Sequence, residues 1–170
     1  MANYSTGSMI FLMFAICFSS LLHFTNGQSH FNVRGKIYCD TCGVQFITKK
    51  SFYLEGAKVR FECWDMKTNA TIFSREVETN KNGKYELRVP GVHEEELCRV
   101  ILISSPDPEC SEINQDPFVN KASHIVLSRL NGLAGNTRTA NPLGFLKKTP
   151  PPECSTLLKK MKVTASGLVP

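Results

Sequence analysis

The stretch KIYCDTCGVQ, Lys36–Gln45, places Cys39 and Cys42 in a C-x-x-C arrangement. This spacing is typical of three different structures: half of a zinc site, a redox-active dithiol, or two separate anchors in a disulfide framework. Each of them predicts a different protein. The choice among them therefore decides how the rest of the chain is interpreted.

The zinc and redox interpretations are both weakly supported by the surrounding sequence. A zinc site needs a second close pair of ligands, but the other cysteines are scattered and His30, His93 and His124 are isolated from one another. In a redox dithiol the first cysteine is expected at the N-terminus of a helix, where the helix dipole lowers the pKa of its thiol. The residues after Cys42, GVQFITKKSFYLEGAKVRF, contain glycine and β-branched residues and have no helical period. Two disulfide anchors are the simplest interpretation.

The N-terminal segment indicates the compartment. Met9–Leu22 reads MIFLMFAICFSSLL, which has the length of a signal-peptide core and is too short to span a bilayer. No Lys or Arg precedes it, but every charged side chain of the protein lies after Gly27. We therefore predict a signal peptide at residues 1–27. A mature domain is predicted at residues 28–170, secreted and without a membrane span.

Six cysteines remain after the predicted signal peptide removes Cys17. They are Cys39, Cys42, Cys63, Cys98, Cys110 and Cys154. An even number in a secreted chain predicts paired disulfides, because the secretory route is oxidising. Each such bond typically adds about 2–4 kcal/mol, largely by restricting the unfolded chain.

Strand patterns dominate the mature chain. Apolar residues alternate with polar ones in Phe31–Cys39 and Ala57–Cys63, as in half-buried strands. Thr71–Pro90 reads as strand, turn and strand, and Cys98–Pro106 as a central strand, with one more candidate at Ser123–Leu130. Helical signals are limited to one turn near HEEELCRV and a short helix in PECSTLLKKMK. The predicted fold class is an all-β, disulfide-stapled antiparallel barrel or sandwich with little helix.

Charge gives weaker information about partners. The net charge is +5, and a basic tail is predicted at about residues 155–170. Five lysines lie near the C-terminus: Lys147, Lys148, Lys159, Lys160 and Lys162. In an extracellular setting they favour a polyanionic surface or an acidic partner over nucleic acid, and a charged tail that only keeps the protein soluble is an equal alternative. We expect a monomer.

Chemistry-bearing motifs are scarce. The sequence has no nucleophile elbow, metalloprotease motif or phosphate-binding loop, so we predict no catalytic residue, cofactor or metal. The run Glu94–Glu96 is interpreted as a solvated turn. Asn69 begins the sole N-x-S/T sequon of the mature chain, in a polar link where a glycan can face water. Trp64 alternates with Cys63, which leaves either core packing or an exposed binding patch.

The mature chain resembles the Ole e 1-like family of plant pollen proteins, in particular its anther and pollen branch. Almost the whole mature chain carries the resemblance, with all six cysteines in place. The matching segments are RGKIYCDTC (Arg34–Cys42), LEGAKVRFEC (Leu54–Cys63), NGKYELRV (Asn82–Val89), LCRVILISSPDPEC (Leu97–Cys110) and NPLGFLKKTPPPEC (Asn141–Cys154). One departure is Gly43, where many members carry Arg.

The resemblance implies a secreted, glycosylated, non-enzymatic β-domain. Its disulfides would be Cys39–Cys110, Cys42–Cys154 and Cys63–Cys98. It also implies a role in pollen development and pollen-tube growth, with a receptor-like kinase ectodomain as the partner. The alternative is a wall-associated structural protein that binds acidic polysaccharide, which the C-terminal lysines allow.

Overall fold

The computed structural model describes residues 29–115, 122–127 and 135–162, and these form nine strands and one helix. The predicted signal peptide lies outside the described residues. The strands are β1 (His30–Asp40), β2 (Phe52–Tyr53), β3 (Lys58–Asp65), β4 (Thr71–Glu78), β5 (Lys84–Pro90), β6 (Glu96–Ser104), β7 (Ala122–Ile125), β8 (Thr137–Thr139) and β9 (Leu143–Leu146). The helix, α1, is Glu153–Met161.

The first sheet is built around the long strand β1. On one side β1 pairs antiparallel with β5 and then with β2. Its other edge pairs in parallel with β8, through Arg34 and Thr139, and then with β9, through Tyr38 and Gly144. The predicted sheet was purely antiparallel, so these parallel pairs are a difference. They arise because the chain runs beside β1 a second time in the same direction, as the two short strands β8 and β9.

The second sheet has the order β4–β3–β6–β7 and is antiparallel throughout. Its outer face carries a ladder of oppositely charged pairs. Arg60 contacts Glu76 at 2.7 Å, and Arg99 contacts Glu62 at 2.7 Å. Exposed pairs of this kind contribute about 0–1 kcal/mol each. Their main effect is to leave this part of the surface close to neutral.

One hydrophobic core lies between the two sheets. From the first sheet β1 and β5 contribute Phe31, Val33, Ile37, Tyr85, Leu87 and Val89; from the second, β3 and β6 contribute Val59, Phe61, Val100 and Leu102. The rings of Phe31 and Phe61 meet edge to face across the sheets, with centroids 6.2 Å apart. Burying each large side chain contributes about 1.5–3 kcal/mol. The fold is thus a sandwich, which confirms the predicted all-β class.

Most predicted strands are present, but one local prediction needs correction. The strands within Thr71–Pro90 exist, yet β4 belongs to the second sheet and β5 to the first, so their turn crosses between sheets. HEEELCRV forms a single turn at Glu94 and Glu95, where the Glu96 amide donates to the His93 carbonyl at 3.4 Å, but no helix follows, because β6 already begins at Glu96. The central position predicted for the Cys98–Pro106 strand is confirmed, since β6 lies between β3 and β7.

The predicted C-terminal helix is confirmed as α1. It covers the first part of the predicted basic tail and ends with Lys162 in a left-handed conformation. Leu157 and Leu158 pack on a second, small cluster that contains Cys42, Val44 and Cys154. Among the residues that the structure describes, no helix combines the length and apolar character needed to cross a membrane.

Candidate functional site

The six cysteines form three disulfides, joining the pairs that the resemblance implies. They are Cys39–Cys110, Cys42–Cys154 and Cys63–Cys98. Cys39 and Cys42 reach different partners because they lie on opposite sides of the point where β1 ends. The strand ends at Asp40, and the chain then turns, so that Cys39 lies in the main core and Cys42 beneath α1.

The loop between β3 and β4 presents the predicted glycosylation site. Asn69 is exposed and has a φ of 56°, while its backbone N–H donates to the carbonyl of Asp65 at 2.9 Å. The Asp65 carboxylate accepts the amide of Thr68 at 2.7 Å, the Thr68 hydroxyl, and the amide of Lys67. These donors lower the pKa of Asp65, the Thr68 amide most strongly. The glycan at Asn69 stays a prediction.

Beside this loop, an exposed apolar row crosses the outer face of the second sheet; its members are Trp64, Ile72, Leu97 and Val126. Trp64 is the cross-strand partner of Leu97, and a register shift next to Trp64 inserts Ile72 into β4. Ile72, Leu97 and Val126 are 52%, 43% and 62% exposed. Trp64 is half-buried, and the guanidinium of Arg99 lies 4.6 Å from its ring. The exposed-patch interpretation of Trp64 therefore describes its surroundings better than core packing does.

A basic groove lies on the outer face of the first sheet; we name it after its cations Arg34, Lys36 and Lys84. It has a volume of about 510 Å³, and Ile47, Thr139 and Pro142 also line it. Arg34 pairs with Glu86 at 3.1 Å. Lys36 and Lys84 are directly opposite each other on β1 and β5. The sequence alone does not predict this groove, because its lysines are adjacent only through the strand register.

His93 has polar partners within its own segment, although no other histidine is among them. Its Nδ1 lies 2.6 Å from the Glu96 carboxylate and its Nε2 lies 2.8 Å from the Pro90 carbonyl. Glu96 is correspondingly part-buried, whereas Glu94 and Glu95 are exposed, so the solvated-turn interpretation holds for only two of the three glutamates. The two side chains meet because the chain turns between them, where the Glu96 amide donates to the His93 carbonyl at 3.4 Å.

One cluster of possible metal ligands also fails on chemical grounds. Cys63, Glu96 and Cys98 bring their ligand atoms within 4.8 Å of one another. The two sulfurs are bonded to each other, so neither is a thiolate that can bind a metal. This cluster is therefore a disulfide beside a carboxylate.

Comparison with known proteins gives consistent matches. The family model described as "Pollen protein Ole e 1 like" matches residues 29–162. The chain is 46% identical to the Olee1-like protein of Betula pendula over 155 residues, covering 91% of this chain and 93% of the relative. It is 39% identical to the anther-specific protein LAT52 of Solanum lycopersicum, covering 89% and 93%. The crystal structure of the major plantain pollen allergen Pla l 1 superposes with a TM-score of 0.66 at 34% identity, covering 74% of this chain and 100% of that one.

Proposed function

The chain belongs to the Ole e 1-like family of pollen proteins, and from this premise we propose that it is a secreted, non-enzymatic ligand of a cell-surface receptor. It would act in pollen or anther development and pollen-tube growth. The names of its relatives support the tissue, since they include pollen-specific and anther-specific proteins. In this proposal residues 1–27 are the signal peptide and residues 28–170 are one extracellular, monomeric domain without nucleic-acid partners.

Secretion is supported by the chemistry of the cysteines. Three disulfides need an oxidising compartment to form and persist. The same bonds leave no free thiol among the six mature cysteines. The two ring nitrogens of His93 are occupied by Glu96 and by a backbone carbonyl. These contacts favour a structural role for the six cysteines and for His93, which belong to residue types that often act as nucleophile or base.

The observation that carries the receptor proposal is the apolar row. Three of its four large side chains are more than 40% exposed, and its members lie on β3, β4 and β6 and directly after β7, which are neighbouring strands of the second sheet. Exposed contiguous apolar surface with polar surroundings marks protein contact sites more often than isolated apolar residues do. The Cys63–Cys98 bond joins two strands directly beneath the row and keeps its geometry fixed. Such a preformed surface lowers the ordering cost of binding.

A capture experiment tests the receptor proposal. The oxidised mature protein is immobilised, pollen-tube surface extract is passed over it, and bound material is eluted first with salt and then with detergent. We expect a receptor-kinase ectodomain that survives the salt step. The Ile72→Thr, Leu97→Thr, Val126→Thr triple variant should lose it, because the contact is apolar.

Phe52→Thr is the matched control, because Phe52 is 44% exposed but lies in the first sheet. It should retain the receptor. Equal retention by the triple variant and the wild type would contradict the assignment of the row. Absence of any receptor ectodomain from the detergent eluate would contradict the receptor function itself.

The glycan forms a separate part of the proposal. We propose that Asn69 is glycosylated, because its side chain lies in an exposed loop with Thr71 at the third sequon position. Intact-mass spectrometry of the secreted protein should show a carbohydrate increment that Asn69→Gln removes. An unmodified mass from a glycosylating host would contradict it.

The second candidate function is binding of acidic cell-wall polysaccharide. A specific observation favours it: the first sheet and α1 both present lysines to solvent, including Lys84, Lys159 and Lys160. Their attraction to a polyanion would weaken with salt, since exposed charges are screened over about 8–10 Å at physiological ionic strength. Release of acidic polysaccharide in the salt step, with no retained protein, would favour this candidate over the receptor.

A further inference from the structure

The basic groove differs from the rest of the charged surface in how its cations are compensated. Lys36 and Lys84 are direct cross-strand partners with the same charge. Like charges in this position destabilise an antiparallel pair. In the second sheet the corresponding basic residues face glutamates, as in Arg60 opposite Glu76. The first sheet therefore places two lysines opposite each other, at a position where a lysine and a glutamate would pair favourably.

Neither lysine is neutralised by a carboxylate of the described chain. The ammonium of Lys36 lies 5.3 Å from the centre of the Tyr53 ring, and Lys84 has no ion pair among the described residues. Glu86, which also lines the groove, is paired with Arg34 at 3.1 Å. Another pair of like-charged partners, Asp65 and Glu96, is different, because loop donors hold the first and His93 holds the second. Lys36 and Lys84 thus leave positive charge available to a ligand.

The groove around these lysines has the size and lining of a ligand site. Its volume of about 510 Å³ lies within the range of about 300–1,000 Å³ that is usual for small-molecule sites. Ile47 and Pro142 supply apolar wall, and Thr139 supplies an exposed hydroxyl. A sugar acid matches this combination: its carboxylate faces ammonium groups, its hydroxyls face Thr139, and its C–H surface faces the apolar wall.

We propose that the basic groove binds an acidic oligosaccharide through its uronate carboxylates, with Lys36 and Lys84 as the charged contacts. The proposal rests on the second candidate function and places its binding site in the first sheet rather than in the C-terminal lysines. A lysine on a flexible stem suits this ligand, because it follows a carboxylate as a point charge without bidentate geometry. Bound carboxylate would also relieve the repulsion between the two lysines.

The test is calorimetric titration of the oxidised mature protein with galacturonic acid oligomers at constant ionic strength. The groove variant is Lys36→Met with Lys84→Met. The matched control is Lys159→Met with Lys160→Met, which removes the same charge from exposed positions of α1. We expect at least a tenfold loss of affinity in the groove variant and less than a twofold loss in the control. The melting temperature of the groove variant should not fall, because a like-charged pair has been removed.

The outcomes separate the site from the function. If the wild type binds the oligomer and the groove variant binds equally well, the binding site is not in the groove, while polysaccharide binding stands. If the wild type does not bind the oligomer at all, the second candidate function fails together with the groove. Neutral galactose oligomers serve as the ligand control, and equal affinity for them would overturn the role of the carboxylates.

Discussion

At Gly35 the first sheet approaches the side chain of Tyr85 so closely that no side chain fits. A Cβ at this position would overlap the Tyr85 hydroxyl and ring. Gly35→Ala should therefore destabilise the fold by about 1–3 kcal/mol, the usual cost of overpacking a core. Urea denaturation should show a lower midpoint, and Tyr85→Leu in the same chain should restore part of the loss. Additive effects in this double-mutant cycle would contradict the contact.

The Tyr85 hydroxyl is buried and has no hydrogen-bond partner in the described part of the chain. Leaving such a group unpaired costs on the order of 1–3 kcal/mol. We therefore expect Tyr85→Phe to be as stable as the wild type at pH 7, or more stable. A clear fall in its melting temperature would show that the hydroxyl has a favourable contact.

Burial also gives Tyr85 a pH dependence. It raises the pKa of Tyr85 above the ordinary value. The unfolded chain then ionises at about pH 10, where the folded chain still holds its proton. Stability from this group is thus complete below about pH 10 and is lost as pH rises toward the folded pKa. Melting curves between pH 8 and 11 should fall less steeply for Tyr85→Phe than for the wild type; part of the slope will remain, because burial and the charge of Asp40 also raise the pKa of Tyr38.

Asp65 has the opposite dependence. Its folded pKa is lowered by the Thr68 amide and hydroxyl and by the Lys67 amide. The stability that the ionised Asp65 carboxylate gives to the folded chain is present above the unfolded pKa of about 3.9. It is lost as pH falls through the lower pKa that Asp65 has in the folded chain. The NMR shift of its carboxyl carbon should titrate below the usual aspartate range. Thr68→Ala, which removes only the hydroxyl donor, should move the midpoint partway back, and an ordinary midpoint in the wild type would contradict these hydrogen bonds.

At the scale of elements, the strands were predictable where one face is buried. Alternation in Phe31–Cys39 and Ala57–Cys63 follows from a core on one side and water on the other. The strands β8 and β9 were missed as separate elements because three or four residues are too short to show a period. The sheet to which β4 and β5 belong was not predictable either, since the same Asn82–Gly83 turn serves a hairpin or a crossover.

Helix α1 depends on its disulfide more than on its own sequence. It has nine residues, and isolated helices of that length are marginal in water. Replacing Cys42 and Cys154 together by Ala should therefore release it from the cluster that Leu157 and Leu158 share with Val44. Hydrogen exchange should become fast in residues 153–161 while β1, β3 and β6 stay protected.

Leu157→Ala with the disulfide intact is the matched control for the helix. It removes apolar contact but keeps the covalent anchor, so exchange in the helix should rise only modestly. Unchanged protection of α1 in the double cysteine variant would show that apolar packing alone holds the helix.

At the scale of the whole molecule, the candidate sites depend on register and therefore were only partly predictable. Asn69 was found from a three-residue motif, and an exposed patch at Trp64 was one of two interpretations. The groove was not found, because Lys36 and Lys84 become neighbours only when β1 and β5 pair. A sequence shows which residues alternate, but the charge that each one faces is decided by the pairing of distant strands.

The disulfides join different parts of the fold, and this predicts which of them costs more stability when it is removed. Cys39–Cys110 connects β1 of the first sheet to the segment after β6 of the second, across 71 residues. Cys63–Cys98 connects direct partners within one sheet, across 35 residues. Chain entropy alone favours the longer bond by about 0.6 kcal/mol, and only the longer bond ties the sheets together.

Replacing Cys39 and Cys110 by Ser should therefore cost about 2–5 kcal/mol and lower the melting temperature by roughly 5–15 °C. The same change at Cys63 and Cys98 should cost less, because the ladder between β3 and β6 continues on both sides of that bond. Secretion yield from a eukaryotic host should follow the same order, since a less stable domain is retained and degraded more often. Normal secretion and an unchanged melting temperature for the Cys39→Ser, Cys110→Ser protein would mean that core packing, rather than the bond, joins the two sheets.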